Sequence, residues 1–170
     1  MATRMILKNG DPQLRKHCHE VTDFNPRLHM LLDDMRQTLA ESNGVGLAAP
    51  QVGIIRRACI VMETNVPEGE DEYFIELVNP EIIERDGEQE GGEGCLSLPE
   101  RYGVVKRPNH VKVRAQDRNG NTFEVEGTGL TARCFCHEID HLDGVLFTDR
   151  ATHMYTDEEM EELYGGDDKE

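Results

Sequence analysis

Cys134-Phe135-Cys136-His137-Glu138-Ile139-Asp140-His141-Leu142-Asp143-Gly144 decides how the rest of this chain is read. Its spacing predicts a helix. Residues four apart on a helix lie one above the other, so His137 and His141 can aim both imidazoles at one metal ion. Glu138, one step round, is close enough to handle a proton on water bound to that ion. Ile139 and Leu142 give the helix an apolar side that packs into a core. Standing alone, the pentapeptide fits a solvated helix or two core histidines as well.

Working back from that helix, the chain is mostly short strands. Val111, Val113 and Ala115 alternate with polar residues, Asn119-Gly120 turns, and Phe123 and Val125 alternate back, which predicts a hairpin. Gly127 and Gly129 then release the chain into the helix. Ala58-Cys59-Ile60-Val61-Met62 reads as an apolar strand, Tyr73 to Pro80 as another that proline stops, and Glu81 to Glu84 as a third. Earlier still, Asn25-Pro26 opens an amphipathic helix carrying Leu28, Leu31, Leu32, Met35 and Leu39, which ends near Ser42-Asn43-Gly44 with Gly supplying the left-handed residue. Asp11-Pro12 marks a further helix start. His17-Cys18-His19 has metal-ligand residue types, but consecutive side chains diverge, so a surface segment is expected there. The pattern predicts an α+β domain, its mostly antiparallel strands packed around a central C-terminal helix. One domain is expected over 1–150, followed by an acidic tail over 151–170.

Composition narrows the functions. The chain has 170 residues, no tryptophan and only 5% aromatics, so its core rests on Leu, Ile, Val and Met. Acidic side chains outnumber basic ones 34 to 18, a net charge of −16 that suits neither nucleic-acid nor anionic-membrane binding. No stretch has the roughly 18 apolar residues of a membrane span, and the start lacks a signal-peptide segment, so the cytosol is expected. Five cysteines point to thiols or metal ligands in preference to disulfides.

A catalytic metal site needs three protein ligands and an open position. His137 and His141 give two, and Cys134 and Cys95 compete to be the third. Cys134 shares the helical face, although one full turn further back strains the coordination. Cys95 lies in the extended segment Glu93-Gly94-Cys95-Leu96-Ser97-Leu98-Pro99, which can cross the helix, and geometry mildly favours it.

Three separated stretches, Gly44-Val45-Gly46-Leu47-Ala48-Ala49-Pro50-Gln51, Glu93-Gly94-Cys95-Leu96-Ser97 and His137-Glu138-Ile139-Asp140-His141-Leu142-Asp143-Gly144, resemble the signature motifs of the peptide deformylases. The resemblance covers almost the whole chain and thins at the tail. It implies that Cys95, His137 and His141 hold the metal, that Glu138 is the acid/base, and that Gln51 and the Leu96 backbone N–H face the formyl oxygen. It implies removal of the N-terminal formyl group from N-formyl-methionyl peptides and nascent chains, with release of formate. Val45, Gly46, Glu93, Leu130 and Cys134 are implied on the substrate side, where Val45, Leu130 and Cys134 form an apolar socket for a methionine side chain. Ferrous iron is the metal implied, and a thiolate with two imidazoles also suits zinc, nickel or cobalt. A monomer is expected.

Three features depart from the family pattern. Cys136 stands where relatives usually carry Gln, and Arg133 where they often carry an apolar residue. The tail beginning Asp157-Glu158-Glu159 is acidic, whereas some bacterial relatives dock at the ribosome through a basic helix; RNA phosphate would repel this one. Two other readings remain at this stage. A small metalloendopeptidase leaves two of the three motifs unexplained. A binding protein with a closed metal site, Cys134 joining Cys95 and both histidines, would need its metal for folding and not for turnover.

Overall fold

The computed structural model describes residues 2–164. Asn25 begins the first helix: its side-chain oxygen accepts from the Leu28 N–H at 3.1 Å, a cap worth about 1 kcal/mol, and Pro26 takes the first helical position. This helix, α1 (Pro26–Ser42), buries Leu28, Leu31, Leu32, Met35 and Leu39, the five residues its periodicity predicts. It ends one residue earlier than expected, because Asn43 and not Gly44 takes the left-handed conformation, with φ 58°. Asn tolerates that region through its short polar side chain. Asp11 caps only a single 3-10 turn, Pro12–Arg15.

Seven strands follow α1: β1 (Gly46–Ala48), β2 (Ala58–Glu63), β3 (Tyr73–Asp86), β4 (Gln89–Cys95), β5 (Leu98–Arg107), β6 (His110–Gln116) and β7 (Thr122–Thr128). They are succeeded by α2 (Leu130–Leu142), α3 (Phe147–Arg150), the two-residue strand β8 (His153–Met154) and α4 (Asp157–Tyr164). The strands form a five-stranded sheet ordered β1-β2-β3-β6-β7 and a three-stranded one ordered β4-β5-β8, every pairing antiparallel. The expected hairpin is β6–β7, with Val113 opposite Val125 and Ala115 opposite Phe123.

One strand corrects the sequence reading. Proline does not stop β3, which runs through Pro80 as a single strand of 14 residues and absorbs the two segments read separately. Register shifts between Val78 and Glu81, so the proline falls at a bulge where its missing N–H is not needed in the ladder. Asn79, at φ 50°, fixes the bulge by exchanging hydrogen bonds of 2.8 Å with the Val21 backbone and donating to Gln116.

The five-stranded sheet is covered on both faces, which is why β2 reads as a continuous apolar run. Cys59 and Val61 face α2 together with Leu77, Val111 and Val113, whereas Ala58 and Ile60 face α1. Cys18, expected at the surface, is buried in the α2-side cluster, and only its neighbours are exposed. A third cluster of Leu14, Leu98, Val105, Leu146 and Phe147 joins the small sheet to α3. Helix α2 is therefore buried nearly all round, at the junction of the two sheets. Gly127 lets it approach: a Cβ there would come within 2.8 Å of Phe135 and Thr131. The chain past residue 150 stays tied to the domain, since β8 pairs with β5 through Gly103–Met154 and Val104–His153. Residues 165–170 of the acidic tail lie outside the described residues. No helix of the described residues is long and apolar enough to cross a membrane.

Candidate active site

One turn of α2 carries His137 and His141, and their Nε2 atoms lie 3.2 Å apart. Cys95, at the end of β4, brings its Sγ to 3.4 Å from the His141 Nε2. In a tetrahedral site with the usual bond lengths, two nitrogen ligands stand about 3.3 Å apart and a nitrogen and a sulfur about 3.6 Å. The two separations measured from His141 are thus those that a bound divalent ion would set. Among the described residues Cys95, His137 and His141 are the group whose ligand atoms converge, all within 4.8 Å of one another. Cys134 is not in that group. It packs into the α2-side core, where burial pushes its thiol well up, away from the thiolate a metal needs. Cys136 likewise packs into that core.

The ring of His137 is set by Glu93, one of the residues expected on the substrate side. Glu93 does line the cavity, but its carboxylate is fully engaged elsewhere. Its Oε2 accepts from His137 Nδ1 at 2.7 Å and from Arg107 Nη2 at 2.7 Å, and its Oε1 accepts from Arg133 Nη1 at 2.9 Å. Burial works against its charge, yet the hydrogen bonds and charges of His137 and Arg107 prevail and hold the carboxyl far below the usual range. An ionised Glu93 holds a proton on His137 Nδ1, so Nε2 is the nitrogen that faces the ion position and would give up its proton to a metal there. Arg107 also reaches Asp140 at 2.8 Å, and Asp140 is held in turn by Arg150 at 2.6 Å.

Glu138 lies beside the three ligands, buried, with its Oε1 making no hydrogen bond among the described residues. Burial pushes its carboxyl up to about 7 against the opposing pull of His137, so it can hold or release a proton near neutral pH. Gly46 makes room for it: a Cβ there would fall 2.4 Å from Glu138 Oε2. Gln51, also buried, is fixed at both ends of its amide. Its Oε1 accepts from the Ala48 N–H at 2.9 Å and its Nε2 donates to Ser97 Oγ at 3.1 Å. The second Nε2 proton is directed toward Cys95 Sγ over 3.5 Å, on the cavity side.

A cavity of about 510 Å³ opens onto this cluster and brings together every residue assigned from sequence except His141, which lies behind the other ligands. Val45, Gly46, Glu93, Leu130 and Cys134 are in its wall, with half-exposed Leu130 on the rim. Sequence reasoning gave no role to Ser97, Arg107 or Arg133. Arg133 had a signal, since a basic residue one turn before His137 shares its face. Arg107 had none, because it meets Glu93 only through the pairing of β4 with β5.

The polypeptide deformylase family profile matches residues 3–157. This chain belongs to that family. A peptide deformylase of Agathobacter rectalis is 51% identical over 165 residues, covering 95% of this chain and all of that one. The crystal structure of a deformylase from Legionella pneumophila superposes with a TM-score of 0.81 at 40% identity, covering 99% of this chain and 95% of the other. One from Acinetobacter baumannii with Met-Ala-Ser bound gives 0.81 at 38% identity over 88% of this chain and all of that one. Deformylases are metal-dependent hydrolases, and the reaction of this one is removal of the N-terminal formyl group from newly made polypeptides.

Proposed function

We propose that Cys95, His137 and His141 hold one divalent metal with a coordination position left open, that Glu138 moves the protons of the reaction, and that the Gln51 amide and the Leu96 N–H receive the formyl oxygen. The observation that carries this reading is three ligand atoms at coordination spacing beside a buried carboxylate with an unpartnered oxygen. The donor set suits ferrous iron, the metal proposed here, and also zinc. When bound, the metal supplies Lewis acidity and lowers the pKa of water to near neutrality.

Everything else falls to the chain. As water oxygen adds to the formyl carbon, Glu138 takes a water proton, and as the carbon–nitrogen bond breaks it passes that proton to the leaving amine, so formate and a free N-terminus result. The charge that builds on the formyl oxygen meets the peptide N–H of Leu96 and the Gln51 N–H on the cavity side, which turns to it from its long contact with Cys95 Sγ. Val45, Leu130 and Cys134 offer the methionine side chain an apolar wall, and the Met-Ala-Ser bound in the Acinetobacter relative supports a peptide running along this cavity. Glu93 acts as a positioning residue for His137 and does not touch substrate. The same reading makes the protein a cytosolic monomer whose acidic α4 does not dock on RNA.

The test is formate release from formyl-Met-Ala-Ser by anaerobically metal-loaded protein. Formate should appear with the internal peptide bonds intact and one metal per chain. Gln51→Ala should lower kcat by about 10²–10³, and Glu138→Ala should abolish turnover while leaving metal bound. Peptide cleavage without formate, or a Glu138→Ala protein at the parent rate, overturns the reading.

A further inference from the structure

The two groups proposed to receive the formyl oxygen come from different sheets. Gln51 lies in the 3-10 turn Ala49–Val52 that follows β1 of the large sheet, whereas Leu96 lies in the turn between β4 and β5 of the small one. Their separation must be held to a fraction of an ångström for both to donate to one oxygen. Among the described residues, one short stretch of chain far away in sequence touches both turns through consecutive residues. The Leu7 N–H donates to the Gln51 carbonyl at 2.7 Å, Lys8 Nζ donates to the Leu96 carbonyl at 3.1 Å, and the Asn9 N–H donates to the Ser97 carbonyl at 2.8 Å. Ser97 is also the residue whose hydroxyl accepts from Gln51 Nε2.

The packing follows the same division. Ile6 packs against the α1-side cluster and Leu7 against the cluster joining the small sheet to α3, so successive side chains anchor the segment on either side of the seam. Its backbone belongs to neither sheet. Alternating N–H directions would send every second amide of an extended segment to the same side, and here Leu7 and Asn9 are both spent on the two donor-bearing turns.

We propose that Leu7–Asn9 is a strap that sets the spacing between the Gln51 amide and the Leu96 N–H, so that these residues position the oxyanion site, Leu7 and Asn9 from outside the cavity and Lys8 from its wall. The proposal rests on the assignment of Gln51 and Leu96 made above. Losing one of the strap's bonds loosens the two turns relative to each other. It weakens stabilisation of the charged oxygen and leaves substrate binding and the metal ligands as they were. The effect belongs in kcat, with KM and metal content unchanged.

The test uses the full-length, metal-loaded enzyme made by joining a synthetic 1–17 segment to the rest of the chain at Cys18. Replacing the backbone N–H of Leu7, or of Asn9, by an ester oxygen deletes one strap bond and keeps every side chain. Each ester should lower kcat for formyl-Met-Ala-Ser by about tenfold. An ester at Lys8, whose own N–H makes no bond among the described residues, should leave kcat at the parent level. Lys8→Met should lower kcat about threefold and Lys8→Arg should restore it. Combined with Gln51→Ala, the Leu7 ester should add little further loss, because its effect runs through that amide. Leu7 and Asn9 esters within twofold of parent kcat, alongside a Gln51→Ala protein that has lost most of its turnover, overturn the strap alone. A Gln51→Ala protein at the parent rate ends both the strap and the oxyanion assignment beneath it.

Discussion

Glu93 and Glu76 are built alike. Glu93 receives Arg107 at 2.7 Å and Arg133 at 2.9 Å, and Glu76 receives Arg36 and Arg118, each at 2.6 Å. Both carboxylates are shielded from water, and the difference lies in their partners. The side chains of Arg107 and Arg133 are 3% and 8% exposed, whereas those of Arg36 and Arg118 are 36% and 27% exposed. Glu76 ties α1 and the β6–β7 loop to β3, helped by Arg36 lying over the Phe74 ring and by Arg118 reaching Asp33. Glu93 has in addition His137 on its Oε2. Taking three charged groups out of water costs more than a surface pair, and well-packed apolar residues often replace such a cluster without loss of stability. A cluster kept at that cost beside a proposed metal ligand is explained by what it does to that ligand, while the Glu76 cluster is explained by the elements it joins.

The comparison breaks most readily at Glu93. Glu93→Ala would leave two guanidinium groups buried without their carboxylate, and breaking a buried pair this way costs about 3–5 kcal/mol. Denaturant unfolding of the metal-free protein at neutral pH should show that loss. Glu93→Gln keeps an acceptor and should fold, yet with the imidazole less firmly oriented its metal affinity should fall by about 10–100-fold in a chelator competition. Unchanged metal affinity would remove the functional half of the comparison. Arg133→Leu should have a smaller effect. Arg107 and His137 still compensate Glu93, and the chief cost is the Val105 carbonyl that Arg133 serves at 3.1 Å, left unsatisfied at about 1–3 kcal/mol. A loss as large as that of Glu93→Ala would mean that Arg133, and not the carboxylate, is the centre of the cluster.

What the sequence revealed follows the same boundary between local and paired features. Helix α1, the β6–β7 hairpin and α2 were legible because their periods are written within a dozen consecutive residues. His137, Glu138 and His141 were legible because one helical turn brings them together, and Cys95 because its segment, flanked by Gly94 and Pro99, reads as an extended piece able to cross the helix. Pro80 misled because only the register against β6 shows that a bulge receives it. Cys18 misled because its exposed neighbours hide the one side chain that turns inward. Glu93 was visible as part of a motif and was placed against substrate. Its engagement with Arg107, 14 residues on, depends on how β4 and β5 pair, and no local spacing encodes that.

Glu76 gives the smallest effect and the sharpest contrast. Its folded-state pKa lies below the ordinary value of 4.5: burial pushes it up, but the hydrogen bonds of Arg118 and Arg36 pull it down further. A carboxyl lowered on folding contributes stability that is fully present above its unfolded value and is lost as pH falls through the folded one. Glu76→Gln should therefore leave formate release and metal content untouched and, with both arginines partly exposed, cost about 1 kcal/mol or less at neutral pH, a fall in Tm of roughly 2–4 °C for a chain of this size. The gap between parent and variant should narrow once the pH drops below about 4.5. Glu93 is held lower still, so the corresponding gap for Glu93→Gln should persist into more acid conditions before it closes. Thermal unfolding of the three metal-free proteins from pH 7 downward measures both gaps. A Glu76 gap that widens on acidification would show that the variant does not report the ion pairs at all, and two gaps that close together would show that burial of the arginines makes no difference to how firmly each carboxylate keeps its charge.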